Sequence, residues 1–399
     1  MSDLDIVDQQ GNSPKAMSAN SRSSSELPST PMATPVVQGS SDDGVRESGQ
    51  QFDSRKVDHL RLSLREDVQA GLGVMDSMRL QHEALPDLNF SEIDLSVAGL
   101  MPMATPFLLS SMTAGHAGSL DLNVMFARAS ARRGWLMGVG SQRRELFDSA
   151  ASEEWKRVRR SAPNVVLLGN IGISQLIRVE VDAVERLVDA LEAKGLMIHL
   201  NALQEALQPE GTPEFAGGLR AIEKLAGRIS VPVIVKETGC GVSALTAEKL
   251  WNAGVRAIDV AGMGGTHWGR IEGHRSADLS WQKTAAETFK NWGLPTLQSL
   301  IDVRRTIESK PGLEVWASGG LRSGLDAAKA LVLGAERVGL AQPVLAAAMR
   351  GEEELDAQMH RMEMELRVAM FCTGAAKIAN LKKVGWVLAH ASAAEETSR

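Results

Sequence analysis

From Pro102 onward, short apolar runs alternate with longer segments whose apolar residues recur every three or four positions. The runs are Pro106–Ser110, Trp135–Val139, Val165–Leu168, Met197–Leu200, Val233–Val235, Ala257–Val260, Glu314–Ala317 and Arg337–Leu340. Runs this short, apolar on both faces and separated by helical spacing, read as strands of a parallel sheet covered on both sides. Val181, Val184, Leu187, Val188 and Leu191 mark one face of a covering helix, and Leu325, Ala328 and Val332 mark a face of another. Eight strands predict an α/β chain closed into a (β/α)8 TIM barrel over 102–350, in preference to an open doubly wound sheet. The stretch from Gly269 to Gly293 is too long for a plain connection and reads as a lid or an excursion.

Outside the barrel the pattern changes. Residues 1–51 are rich in Ser, Pro, Gly, Asp and Gln, with no period that could bury apolar area, and read as a disordered tail. Residues 52–101 form an N-terminal extension that opens on the basic cluster Arg55, Lys56, His59 and Arg61, while 351–399 read as a helical segment completing the barrel domain. The hydrophobic share of 44% with 23% charged residues allows a large core. A net charge of -6 supplies no field to draw nucleic acid or anionic membrane, so an anionic ligand needs a local cluster. Two cysteines, Cys240 and Cys372, give no disulfide framework, and no apolar stretch is long enough to span a bilayer. These features predict a cytoplasmic protein that binds neither nucleic acid nor membrane.

Residues that follow the strands of such a barrel share one rim. The first three strands bring Ser110-Ser111-Met112-Thr113, Gly140-Ser141-Gln142-Arg143 and Gly169-Asn170 to it, and the fourth brings His199, Asn201, Gln204 and Glu205. The last four bring Lys236-Glu237, Gly264-Gly265-Thr266, Ser318-Gly319-Gly320-Leu321-Arg322 and Ala341-Gln342. Three neighbouring glycine-rich turns let backbone N–H groups approach a phosphate, and neither a P-loop nor a dinucleotide fingerprint is present, which points to a mononucleotide cofactor. Lys236, closing an apolar strand, needs an anion or an electron-rich ring beside it; a flavin provides one, and a salt bridge with Glu237 is the structural alternative. Ser110, Thr113, Ser141 and Asn170 offer hydrogen bonds to the polar edge of such a ring. Glu205 alone is a poor metal site, yet it suits Mg2+ if substrate phosphate oxygens and water complete the shell; a solvated helix-start residue is the alternative. Arg55, Lys56 and His59 are either a diphosphate clamp or a solvated helix face. Cys240, between two glycines and without a base, reads as close packing and not as a nucleophile.

With those residues assembled, the chain resembles the flavin-dependent type 2 isopentenyl-diphosphate isomerase family from about Arg55 to about Met349. The likeness rests on Arg55-Lys56 with His59, Ser111-Met112-Thr113, Gly140-Ser141-Gln142-Arg143, Asn170-Ile171-Gly172, Lys236-Glu237, Gly264-Gly265-Thr266, Ser318-Gly319-Gly320 and Gly339-Leu340-Ala341. Its most specific block runs from His199 through Gln204-Glu205 to Gln208-Pro209-Glu210-Gly211. Ala114 and Ala202 depart from the glycine and proline usual in the family.

The resemblance implies interconversion of isopentenyl and dimethylallyl diphosphate by a 1,3-proton shift, with FMN kept reduced by NADPH, with Mg2+, and in a homo-oligomer, tetramer or octamer. Carried over by position, Ser110, Ser111, Met112, Thr113, Ser141, Asn170, Lys236, Thr266, Gly319, Gly320, Leu321, Arg322, Ala341 and Gln342 would bind FMN. Arg55, Lys56, His59, Ser141, Gln142, Arg143, His199, Asn201 and Gln204 would face the substrate. Glu205 would hold Mg2+, and Gln204, Glu205 and His199 would take part in catalysis. Two alternatives are an FMN-dependent 2-hydroxy-acid oxidoreductase, which would want a histidine-arginine pair late in the barrel that this sequence lacks, and a non-catalytic flavin-binding protein.

Overall fold

The computed structural model describes residues 49–388 except 72, 114–118, 149–150 and 309. The tail expected over 1–51 lies outside these residues up to position 48, and helix α1 (Gly49–Ser63) opens inside the expected boundary. The short strand β1 (Met78–Leu80) follows. The barrel then alternates β2 (Phe107–Leu109), α2 (Leu120–Arg133), β3 (Leu136–Gly138), α3 (Ser152–Ser161), β4 (Val166–Gly172), α4 (Ile173–Leu176) and α5 (Val181–Leu191). It continues through β5 (Gly195–Leu200), α6 (Ala202–Leu207), α7 (Gly218–Ala226), β6 (Val233–Glu237), α8 (Ala244–Asn252) and β7 (Ala257–Asp259). Three helices, α9 (Trp268–Arg275), α10 (Trp281–Thr288) and α11 (Thr296–Ile307), precede β8 (Glu314–Ala317), α12 (Gly324–Val332), β9 (Arg337–Leu340) and α13 (Gln342–Ala348). The chain ends its described course with α14 (Glu352–Phe371), α15 (Ile378–Leu381) and β10 (Trp386–Leu388).

Strands β2 to β9 pair in parallel in chain order, and β9 closes on β2 through Phe107↔Val338, Leu108↔Gly339 and Leu109↔Leu340. Each apolar run read from the sequence is a barrel strand. Two run further than expected: β4 reaches Gly172 and β6 reaches Glu237, so Asn170 and Lys236 sit in the ladder itself and not in the loops beyond it. Leu108, Leu136, Leu168, Met197, Ile234, Ala257 and Trp316 form a core cluster with Met101, separate from the larger one to which the covering helices belong. All five expected residues of α5 are buried in that outer layer.

The expected face of α12 needs a correction. Ala328 and Val332 are buried, but Leu325 is 46% exposed. Helix α12 packs on β9 and α14, with Gly324 in close approach to the α14 backbone at Met362 and Leu366 and Ala327, Ala328 and Ala330 buried, and the bulkier first-turn leucine is left on the outside. The stretch from Gly269 to Gly293 is an excursion of two packed helices and not a loop-like lid: Gly269, Ile271, Glu272 and Gly273 of α9 are buried, and α9 packs on α10 and α6. The C-terminal segment is helical as expected and adds a strand: β10 pairs antiparallel with β1 through Met78↔Leu388 and Leu80↔Trp386. Arg133 and Trp135 bind Glu363 of α14, holding that helix against the barrel. Among the described residues no helix is long and apolar enough to cross a membrane.

The end of the barrel away from the loops is sealed by residues 97–103. Val97 and Met103 exchange backbone hydrogen bonds, Leu100 N–H donates to Glu314 at 2.5 Å, and the Trp316 indole donates to the same carboxylate at 2.8 Å. Arg337, fully buried, donates to the carbonyls of Met101, Ala98 and Glu336. Arg337→Ala should therefore strand those acceptors and lower stability by about 2–3 kcal/mol in urea unfolding, while the native circular-dichroism spectrum stays the same.

Candidate functional site

At the C-terminal rim of the barrel lies a cleft of about 1120 Å³, counting the solvent at its mouth. One wall is made by the turns after β7, β8 and β9. Gly265 and Gly320 meet there so closely that a Cβ on Gly265 would lie 2.6 Å from the Gly320 nitrogen, and Gly320 itself has φ +78°. Only glycine permits both conditions. Arg322 braces this wall, donating to the carbonyls of Gly320 at 3.1 Å and Gly264 at 3.3 Å.

The extension supplies a strap across the same turns. Ala70 N–H donates to Gly265 O at 2.7 Å, His267 N–H donates to Val68 O at 2.9 Å, and the Gln69 amide reaches the Thr266 hydroxyl at 3.3 Å. Gln69 lines the cleft and was not legible in the sequence, because it belongs to no strand end.

Ser110, after β2, and Lys236, in β6, both line the cleft. The Ser110 hydroxyl is buried with no protein partner, an open hydrogen-bonding group of the kind a ligand satisfies. Lys236 donates to the backbone carbonyl of Glu237 at 2.6 Å. The expected alternative of a Lys236–Glu237 salt bridge is not what forms: the Glu237 carboxylate instead accepts the N–H groups of Thr238 (2.6 Å), Gly239 (2.7 Å) and Cys240 (2.5 Å), folding the turn around itself. Burial pushes Glu237 up to about 7 against those three donors and the nearby charge of Lys236. Burial, with Glu237 beside it, pushes the Cys240 thiol up to about 12, which agrees with a packing residue and not a nucleophile.

Behind the opposite wall, which Lys56, His59 and Trp268 line, lies a polar network centred on Glu272, which is 0% exposed. Its carboxylate lies 2.9 Å from His59 Nε2, accepts the Gln204 amide at 2.9 Å and pairs with Arg275 at 2.6 Å. Burial would raise Glu272, but the hydrogen bond from His59, the charges of His59 and Arg275 and the Gln204 amide outweigh it and hold the carboxyl below its usual range. Gln204 is fixed at its other end by Asn201 at 3.2 Å, and Asn201 also donates to Glu205 at 3.0 Å. Glu205 completes itself by accepting the Thr212 N–H at 2.6 Å. Arg275 continues to Glu210 at 2.5 Å, and Arg55 lies 3.9 Å from Glu210. Lys56 and His59 reach the cleft wall, with the Trp268 ring edge-on to His59 at 5.1 Å between centroids.

Isopentenyl-diphosphate delta-isomerase of Bdellovibrio bacteriovorus is 50% identical over 342 residues, covering 84% of this chain and 98% of the relative. The protein of the same name from Legionella pneumophila strain Paris is 49% identical over 335 residues, 84% of this chain and 97% of the relative. The chain belongs to the isopentenyl-diphosphate delta-isomerase family. A family model described as FMN-dependent dehydrogenase matches residues 216–387. Solved structures of a flavocytochrome b2 variant with sulfite bound (TM-score 0.62, 20% identity, 85% of this chain and 86% of that one) share the fold. So does a mandelate oxidase variant with benzoyl-formic acid (TM-score 0.59, 16% identity, 84% and 94%).

Within this isomerase-family barrel, Ser110, Ser111, Met112, Thr113, Lys236, Thr266, Gly319, Gly320, Leu321, Arg322, Ala341 and Gln342 line one cleft together with Lys56 and His59. The remaining expected residues stand behind the wall. Gln142 is buried because its amide oxygen accepts the Asn170 N–H at 3.1 Å and its own N–H donates to Asn170 O at 2.8 Å, a staple between neighbouring strands. The Asn170 amide is taken by Val139 O at 3.1 Å and by His199 at 2.9 Å. Arg55 is turned toward Glu210, and Asn201, Gln204 and Glu205 are engaged with one another. Ser141 and Arg143 are half-buried off the wall. Thr113 donates its proton to Asn123, leaving the hydroxyl oxygen as an acceptor. Ala114 lies outside the described residues, whereas Ala202 simply opens α6.

Burial drives the His199 imidazole down to about 3, with Lys236 and Lys56 pushing the same way. Because the Asn170 amide nitrogen is spent on Val139, its oxygen faces the ring and fixes the proton on Nδ1, leaving Nε2 as an acceptor. His199 should stay neutral at pH 5 in the folded protein, read from its ring resonances by NMR. Lys236→Met should raise its pKa by about one unit. An unfolded histidine takes its proton near 6.5, so this group costs stability as pH falls from 6.5 toward about 3.

Proposed function

We propose that the chain interconverts isopentenyl and dimethylallyl diphosphate on reduced FMN, with Mg2+ and with NADPH as reductant. What carries this reading is one cleft that gathers the glycine turns and Lys236 on one side and Lys56 and His59 from α1 on the other. The unpartnered Ser110 hydroxyl and the close Gly265–Gly320 approach suit a phosphate-bearing ring cofactor. Bound there, FMN supplies an electron-rich face that stabilises developing positive charge on the substrate and a proton-exchanging ring edge.

The protein's own part is positioning. Lys56 attracts the diphosphate, and Arg55 holds the clamp indirectly through Glu210. Gln204 cannot swing away, since Glu272 and Asn201 hold both ends of its amide, so from behind the wall it fixes the network that carries His59. Trp268, Met112 and Leu60 on the cleft wall keep water from the reacting carbons. Among the described residues no three acidic, His or Cys side chains gather as a metal site. Glu205 is then a single anchor, and diphosphate oxygens and water would supply the rest of the Mg2+ shell. We place this activity in a cytoplasmic homo-oligomer, tetramer or octamer.

The deciding assay is anaerobic: purified protein, isopentenyl diphosphate, FMN, Mg2+ and reductant, with the product read by NMR. Product formation supports the isomerase; oxidation of a 2-hydroxy acid instead would favour the oxidoreductase reading, and bound flavin without turnover the non-catalytic one. Glu205→Gln should keep its FMN content, lower turnover at least tenfold and raise the Mg2+ concentration for half-maximal rate. An unchanged Mg2+ titration would remove Glu205 from the metal site.

A further inference from the structure

The buried charges around Lys236 do not end with Glu237. Asp259 closes β7 as the direct partner of Lys236 on β6, and paired residues of parallel neighbours project to the same face of the sheet. Asp259 is 0% exposed. Its Oδ1 accepts the Ser318 hydroxyl at 2.7 Å and the Ala261 N–H at 3.2 Å, while its Oδ2 has no partner. Ala261, on the cleft wall, is held at φ +36°, a conformation unfavourable for a side-chain-bearing residue. A carboxylate this buried is costly unless a cation offsets it. Glu237 lies close enough to feel the Lys236 charge, but its carboxylate is taken by the N–H groups of its own turn, which leaves the unpartnered Oδ2 of Asp259 as the buried acid oxygen without a donor beside Lys236.

We propose that Asp259 is a positioning residue for the flavin edge: its carboxylate offsets Lys236, so a ring in the cleft meets a balanced pair and not a bare cation. The inference rests on the FMN reading above. Burial holds the Asp259 carboxyl above its usual range, and Lys236, the Ser318 hydroxyl and the Ala261 N–H oppose that rise without cancelling it. The chain Lys236, Asp259, Ser318 crosses three adjacent strands and ends on the glycine turn, so ring edge and phosphate turn are braced by one buried acid.

The sign of the effect follows. Two-electron reduction of FMN with uptake of one proton leaves an anionic ring, and uncompensated Lys236 would stabilise it. Asp259→Asn keeps an oxygen for Ser318 and Ala261 and removes only the charge. In the purified FMN-loaded protein, dye-equilibrated anaerobic titration should show the reduced flavin gaining at least tenfold in affinity over the oxidised form, a rise of about 30 mV. Lys236→Met should shift the potential down, and the double variant should return toward wild type. A flavin-loaded Asp259→Asn protein with an unmoved or lower potential overturns the proposal, because a purely structural or neutral Asp259 predicts that result. Wild-type protein that retains no FMN overturns the cofactor reading and this inference together. Should Asp259→Asn fail to fold, carbon-13 aspartate labelling of Lys236→Met gives an independent measurement. A protonated-aspartate infrared band gained in that variant supports the pair, and the same band already present in wild type refutes it.

Discussion

A carboxylate taken out of water must be given donors, and the upper half of this molecule is arranged around the donors given to Glu272. They come from α1, from the helix after β5 and from the next turn of its own helix. Removing any of these would leave a buried charge incompletely compensated, a far larger cost than losing an exposed pair. The extension is thereby fixed over the barrel mouth, α9 is drawn inward, and the Gln204 amide is given one orientation. The positions of Lys56 and His59 at the cleft follow from that arrangement, as does the turning of Arg55 toward Glu210.

The two walls of the cleft are built on different physical terms. The glycine turns achieve close backbone approach by having no side chains, and their rigidity comes from hydrogen bonds to the strap at Gln69 and Ala70. The other wall rests on the Glu272 network behind it, long side chains immobilised by one another. Lys236 lies on the cleft wall in the barrel ladder, between a backbone carbonyl and a buried acid. His199 is kept neutral by burial and by the same cations that would attract an anionic substrate, so it offers a lone pair and no charge.

Much of this was legible in the sequence because the barrel imposes a strict repeat. Apolar runs on two-faced strands, and glycine-rich or polar residues where those runs stop, identify the strands and most of the cleft wall without reference to any distant contact. Glu272 was invisible for the opposite reason: on a helix it reads as a solvent-facing position, and only a histidine 213 residues earlier in the chain makes it internal. Arg55 and Lys56 were assigned a common role, yet adjacent helical residues point about 100° apart, so one meets Glu210 and the other the cleft. Asp259 sits inside the run Ala257–Val260 and carries no signal there; its significance depends on cross-strand register, which no linear pattern encodes. Strands of three residues, such as β1 and β10, are too short for any alternation to register.

That last pairing also orders events in time. β1 and β10 stand about 300 residues apart, whereas each barrel strand meets its neighbour after a few dozen, apart from the closing β2–β9 pair. Closure of so long a loop is entropically disfavoured until the intervening chain is already compact. The barrel and its glycine turns can therefore condense first, and the two-stranded ribbon forms as the final stitch. Amide exchange should find that ribbon opening independently of the barrel, so the two ends of the described chain can part while the closed sheet keeps its pairing.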